Sequence, residues 1–208
     1  MIMTNPLTYR AEGLLEILKQ KKVKTFLESG YTSSSFLYER IIETITAKRI
    51  RYKAVNENYN FKLGRVKIKI LSPPEGFFQF FAPYSLRALK ENSLVILISF
   101  RRSKILLVSD IYRRAIKYLR LWHCREISSC IVEMPDVNCN DFFVYKILEC
   151  ANPALIVVNK KFTPFEKNDK EFITRAIRNT GAKGIFIKRE GAIKVVLNGR
   201  KFIYITSR

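Results

Sequence analysis

Histidine is almost missing from this sequence: His123 is the only one in 208 residues. The four cysteines, Cys124, Cys130, Cys139 and Cys150, have no CxxC spacing. Zinc asks for about four nitrogen or sulfur ligands at close spacing, so both scarcities argue against a zinc site. There is no G-x-S-x-G elbow and no P-loop, which removes the usual serine-hydrolase and nucleotide-cradling signatures. No uncharged apolar run reaches the roughly 18 residues a membrane-spanning helix needs. The opening MIMTNPLTYR lacks the basic-then-apolar order of a signal peptide. Acidic residues are scarce too, with 18 Asp and Glu against 38 Lys and Arg.

What is present is charge and core. The net charge is +20, and 48% of the residues are hydrophobic. A field of that size attracts polyanions, namely DNA, RNA or anionic lipid headgroups. The competing reading is a lysine-rich surface that serves solubility alone. Unpatterned cysteines read as reduced, largely buried thiols, which suits a cytoplasmic setting. One or two disulfides outside the cytoplasm is the weaker alternative.

Periodicity sets out the elements. Residues 11–21 have helical spacing, and 23–27 suit a buried strand. Ser33, Ser34 and Ser35 offer caps for a helix over about 35–48 with Phe36, Ile41 and Ile45 on its core stripe. Residues 50–55 read as a strand. Residues 64–72 alternate, with Val66, Ile68 and Ile70 inward and Arg65, Lys67 and Lys69 outward. The aromatic stretch 77–84 has no clear assignment. Two apolar runs around Arg101-Arg102-Ser103 read as a hairpin. The spacing predicts a helix from Asp110 to Trp122, with Ile111, Ala115, Tyr118 and Trp122 on one face. Strand 129–134, helix 140–150, strand 154–158 and helix 168–180 follow, with Gly181 closing the last helix. Strands at 183–188, 192–197 and 200–206 end the chain, the last two joined at Asn198-Gly199. No linker or repeat divides 1–208, which reads as one α/β domain with mixed sheets.

In that order of elements, Asn92-Ser93-Leu94-Val95-Ile96-Leu97 and Leu106-Leu107-Val108-Ser109-Asp110 stand where a family shows NSLVL and LLTGD. The chain resembles the metallo-β-lactamase-like domain at the C-terminus of ComEC-type competence proteins, which move DNA across bacterial membranes. The likeness continues through Asn152-Pro153-Ala154, Gly181 and Gly191-Ala192-Ile193. It implies an αββα four-layer sandwich of the α+β type. It also implies a check on metal ligands. The family's first loop reads SHPDADHIGGL, and here Pro6, Gly13 and Leu14 keep the frame while the ligand positions hold Asn5, Leu7, Tyr9 and Arg10. The second loop, PHHGS, is here Pro135-Asp136-Val137-Asn138-Cys139. A later His-Pro pair is Thr163-Pro164. Asp110 alone keeps a ligand residue.

Several expectations follow. About five or six ligands hold the metal ions of such sites, so the resemblance implies a non-catalytic module with no metal or other cofactor. A residual metal-dependent hydrolase or nuclease is the least favoured reading. Asp110 could pair with Arg10, or cap the following helix. His123 reads as structural, and Asp136 with Asp141 is a weak carboxylate pair. Nucleic acid, DNA or RNA, would meet a basic rim of Arg10, Arg113, Arg114, Lys160 and Lys161, with Arg101, Arg102 and Lys104 as a second patch. The family places two or three strands before its first loop, so the chain reads as N-terminally truncated. An open apolar sheet edge would then invite a homodimer or a second polypeptide.

Overall fold

Residues 1–77, 84–129, 131–134, 142–159 and 167–207 are described by a computed structural model. The side chains of Tyr9 and Arg10 fall outside that description, although their backbone is helical. Helix α1 (Thr8–Gln20) leads to strand β1 (Thr25–Glu28), helix α2 (Phe36–Ala47) and strand β2 (Arg51–Ala54). β1 and β2 pair in parallel, and Ile2 adds a parallel bridge to Leu27. Ser35 caps α2, its hydroxyl accepting from the Tyr38 N–H at 3.2 Å. Ile41 and Ile45 are buried as expected, but Phe36 is 74% exposed. Phe36 is the first residue of α2, and the inward position of that turn goes to Tyr38.

The strand expected at 64–72 is β4 (Val66–Ser72), and a further strand, β3 (Asn60–Leu63), pairs antiparallel with it across Gly64 and Arg65. A short helix, α3 (Leu86–Glu91), precedes β5 (Val95–Phe100), and β6 (Ser103–Leu107) completes the expected hairpin. Helix α4 spans Arg113–His123, three residues later than predicted at its start. Its buried residues are Ala115, Ile116 and Leu119, while Trp122 is 73% exposed. Of the predicted stripe, Ile111 and Ala115 are buried and Tyr118 is half-buried, so only Trp122, in the last turn, departs from it. Then come β7 (Ile131–Met134), α5 (Phe142–Ala151), β8 (Leu155–Val158), α6 (Lys167–Thr180) and β9 (Lys183–Phe186). One turn, α7 (Ile187–Glu190), shortens the strand expected at 183–188. The hairpin β10 (Ile193–Leu197) and β11 (Phe202–Thr206) closes through the loop 198–201.

Four layers result. β3 to β9 form a seven-stranded mixed sheet in sequence order. On one face, α4, α5 and α6 bury Leu106, Ile116, Leu119, Val132, Ile156 and Ile173. On the other, β1–β2 packs Leu27 over Ile68, Ile70 and Ile96. The β10–β11 hairpin covers Ile131, Leu155 and Ile185 on that same face. α1 and α2 then cover β1–β2 through Leu18, Ile41 and Phe26. Alternation explains the double burial: in each central strand neighbouring residues belong to opposite cores. No helix among the described residues is long and apolar enough to cross a membrane.

Candidate functional site

Where the chain leaves residues 1–3 and β6, the ends of the two sheets meet. Asn5, Ser93, Ser109 and Asp110 converge there, all fully buried. The Asn5 amide donates from Nδ2 towards Asp110 Oδ2 at 3.4 Å, Ser109 Oγ at 3.4 Å and Ser93 Oγ at 3.3 Å. Asn5 Oδ1 accepts from the Leu7 N–H at 3.2 Å, which fixes the amide's orientation. The amide therefore presents hydrogens, not lone pairs, to the carboxylate. Ser109 holds a left-handed φ of 58° at the bend into Asp110.

Asp110 does not cap α4. The N-cap is Tyr112, which makes no side-chain cap bond. The cap comes from α3 instead: Glu91 accepts from Arg114 N–H at 3.1 Å and Ala115 N–H at 2.8 Å. Glu91 is wholly buried. Burial pushes its carboxyl up, against the lowering effect of those two N–H groups and of Arg87 and Arg114. Glu91 left no local signal, because it caps a helix that starts on the far side of β5 and β6.

Beside this carboxylate the surface is strongly cationic. Tyr112 has the Arg87 guanidinium 6.0 Å and the Arg113 guanidinium 5.8 Å from its ring centre. Leu86, Arg87, Lys90 and Tyr112 line a recess of about 460 Å³. Arg113 and Arg114 are exposed. Sequence reasoning found Arg113 and Arg114 but missed Arg87 and Lys90, since α3 had no assignment.

Arg101, Arg102 and Lys104 do not join this corner. They sit at the other end of β6, about 17 Å of strand away. The backbone N–H of Arg102 donates to Gly199 O at 3.0 Å. A Cβ at Gly199 would stand 2.5 Å from Arg101 Cδ, so this turn is packed against the β10–β11 loop. Lys104 Nζ donates to the Glu126 carbonyl at 3.0 Å, which makes it a structural tether. Lys160, Lys161, Asn138, Asp136, Asp141, Thr163 and Pro164 lie outside the described residues, as does the Arg10 side chain.

His123, the last residue of α4, is structural in its contacts. Its Nδ1 is 3.1 Å from Glu126 Oε2, and its Nε2 is 3.6 Å from Glu57 Oε2. Next to it the expectation of free thiols fails for two cysteines. Cys124 and Cys150 form a disulfide, because the end of α4 and the last turn of α5 bring their Cα atoms to 5.0 Å. Cys130 and Cys139 lie outside the described residues.

No family model matches this chain. No curated protein matches it either. Among solved structures it is similar to the isothiocyanate hydrolase from Delia radicum gut bacteria, with a TM-score of 0.53 and 12% identity over 99% of this chain and 76% of that one. It is also similar to CmlA, a diiron β-hydroxylase from Streptomyces venezuelae, with a TM-score of 0.50 and 12% identity over 88% of this chain. The chain spans 42% of the CmlA chain's length. A mutant of the CmlA β-hydroxylase gives a TM-score of 0.53 at 11% identity. These likenesses show the fold, which is the metallo-β-lactamase fold.

The metal that this fold implies finds poor donors among the described residues. Of the described positions that the resemblance makes ligands, Leu7 is apolar, the Asn5 amide turns its hydrogens towards Asp110, and only Asp110 is a carboxylate. No group of three His, Cys, Asp or Glu suited to a metal ion occurs among the described residues. The described residues do not fit the metal.

Proposed function

We propose that this chain is a non-catalytic metallo-β-lactamase-fold module that binds nucleic acid through the cationic corner where α3 meets α4. The observation that carries this reading is the recess around Tyr112, with Arg87 and Arg113 both about 6 Å from its ring and Lys90 on its wall. Two guanidiniums held by one aromatic ring lose less freedom when they grip a phosphate. Arginine matches phosphate oxygens in paired hydrogen bonds, and lysine adds a point charge. A net charge of +20 would draw the polyanion in before any close contact forms. A role in DNA uptake, which the likeness to ComEC-type domains implies, would use the same corner on incoming DNA.

The test is filter binding of short single-stranded and duplex DNA and of RNA at low salt. Reversing Arg87 and Arg113 to Glu should weaken binding on the order of tenfold or more. Reversing Arg101 and Arg102, at the opposite end of the sheet, should do less. Equal losses from both pairs would move the interface away from this corner, and no binding at low salt would end the proposal.

A further inference from the structure

β3 is the end strand of the large sheet, and its outer edge carries no pairing partner among the described strands. Its register with β4 sets Leu63 opposite Val66 across the turn, then Lys62 opposite Lys67, Phe61 opposite Ile68 and Asn60 opposite Lys69. In an antiparallel pair hydrogen-bonded and non-bonded positions alternate. Leu63 and Phe61 occupy the bonded positions, so the backbone N–H and C=O groups of Lys62 and Asn60 point away from the sheet. The Ile70 N–H donating to Tyr59 O at 3.0 Å continues the same phase.

The side chains add an apolar recess to this edge. Ile2, Leu27, Tyr59, Phe61, Leu63 and Ile68 line a cleft of about 590 Å³ between the two sheet layers. Leu63 is 62% exposed at its mouth. The cleft lies where the inward side chains of one more strand on β3 would project. Lys22 and Lys24 also border it. On the outward face, Lys62 and Lys67 stand directly opposite each other. Like charges in that position destabilise a strand pair.

We propose that β3 takes an additional β-strand from a partner polypeptide whose residues alternate between apolar and acidic. Apolar residues would fill the cleft beside Phe61 and Leu63. Acidic ones would lie against Lys62 and relieve its repulsion with Lys67. Main-chain hydrogen bonds to Asn60 and Lys62 would supply affinity, as in other cases of strand addition to a sheet edge. The charges set the choice of partner. A second copy of this chain would bring Lys62 towards Lys62 in a +20 molecule. The lysines thus deter self-pairing at the edge and select an acidic strand, which is specificity by repulsion of the wrong partner.

The experiment uses the full chain and a short fluorescein-labelled peptide alternating glutamate with valine, read by anisotropy. The glutamate–valine peptide should bind at least tenfold tighter than a lysine–valine counterpart. Methylating alternate backbone nitrogens of the peptide should abolish binding, because strand addition needs those N–H groups. Lys62→Glu lies on the exposed face of β3, so folding should survive, as circular dichroism would verify. It should weaken the acidic peptide tenfold or more and favour the basic one. Equal binding of both peptides, indifference to methylation, no binding, or a dimer of the chain that Lys62→Glu leaves intact would each overturn the proposal. Because β3 is remote from Tyr112, Lys62→Glu should leave nucleic-acid binding within about twofold, and Arg113→Glu should leave the peptide unaffected, so the two proposals fail separately.

Discussion

At the scale of single residues, buried carboxylates govern much of the chemistry. Glu91 caps α4 from a different helix, with both oxygens on backbone N–H groups. Glu91→Ala should lower the unfolding free energy by about 2 kcal/mol, since two buried donors lose a charged acceptor. Urea denaturation measures this, and a loss near zero would mean the cap contributes nothing. Glu28 offers a pH test. It accepts from Tyr38 at 2.8 Å and from Tyr52, while its other oxygen is buried without a partner. Burial raises its carboxyl above the usual range despite the lowering effect of the two tyrosine hydroxyls. The folded state therefore holds that proton more tightly than the unfolded chain. Stability should fall as pH rises from the ordinary carboxylate range through the raised value, then level off. Glu28→Gln should flatten that slope above the ordinary carboxylate range, as urea midpoints would reveal. Identical slopes would contradict the assignment. Asp110 was legible at this scale because its position ends an apolar strand. Its environment was not: a buried Asn5 amide and two serines come from segments about a hundred residues apart.

At the scale of elements, local patterns worked where burial is one-sided and failed where tertiary contacts decide. The Ser35 cap and the β5–β6 hairpin follow from local chemistry, and both stand. β3 carries no sequence signal because Asn60-Phe61-Lys62-Leu63 is too short to display alternation, and Gly64 reads as the start of the strand that follows. The same miss hid the edge that now carries the strand-addition proposal. α3 was missed because six residues, Leu86–Glu91, span fewer than two helical turns and display little period. The Cys124–Cys150 link was hidden for another reason: no spacing rule connects a helix end with the next helix. The bond closes a separation of 26 residues. Removing it should cost about 3.5 kcal/mol in the chain-entropy account. Thermal unfolding with and without reductant, and of Cys124→Ser with Cys150→Ser, gives the test. An unchanged midpoint would mean that α4 and α5 are held by packing alone.

At the scale of the whole molecule, the order of elements reads as one α/β domain with mixed sheets, and the four layers are what the resemblance implies; β1–β2 and β10–β11 share one face of the large sheet and helices take the other. The solved structures support that fold at very low identity. What composition could not place was the charge. Arg101 and Arg102 line up with Arg113 and Arg114 only in sequence; the fold puts them at opposite ends of β6. It instead gathers Arg87, Lys90, Arg113 and Arg114 on the side of the buried Asp110 where α3 meets α4. If those four cations each meet a phosphate, counterion release predicts a slope of about −3.6 for log K against log salt on duplex DNA. The Arg87→Glu, Arg113→Glu double variant should roughly halve it, to about −1.8. A wild-type slope near zero, or a slope that the double variant leaves unchanged, would contradict nucleic-acid binding at this corner.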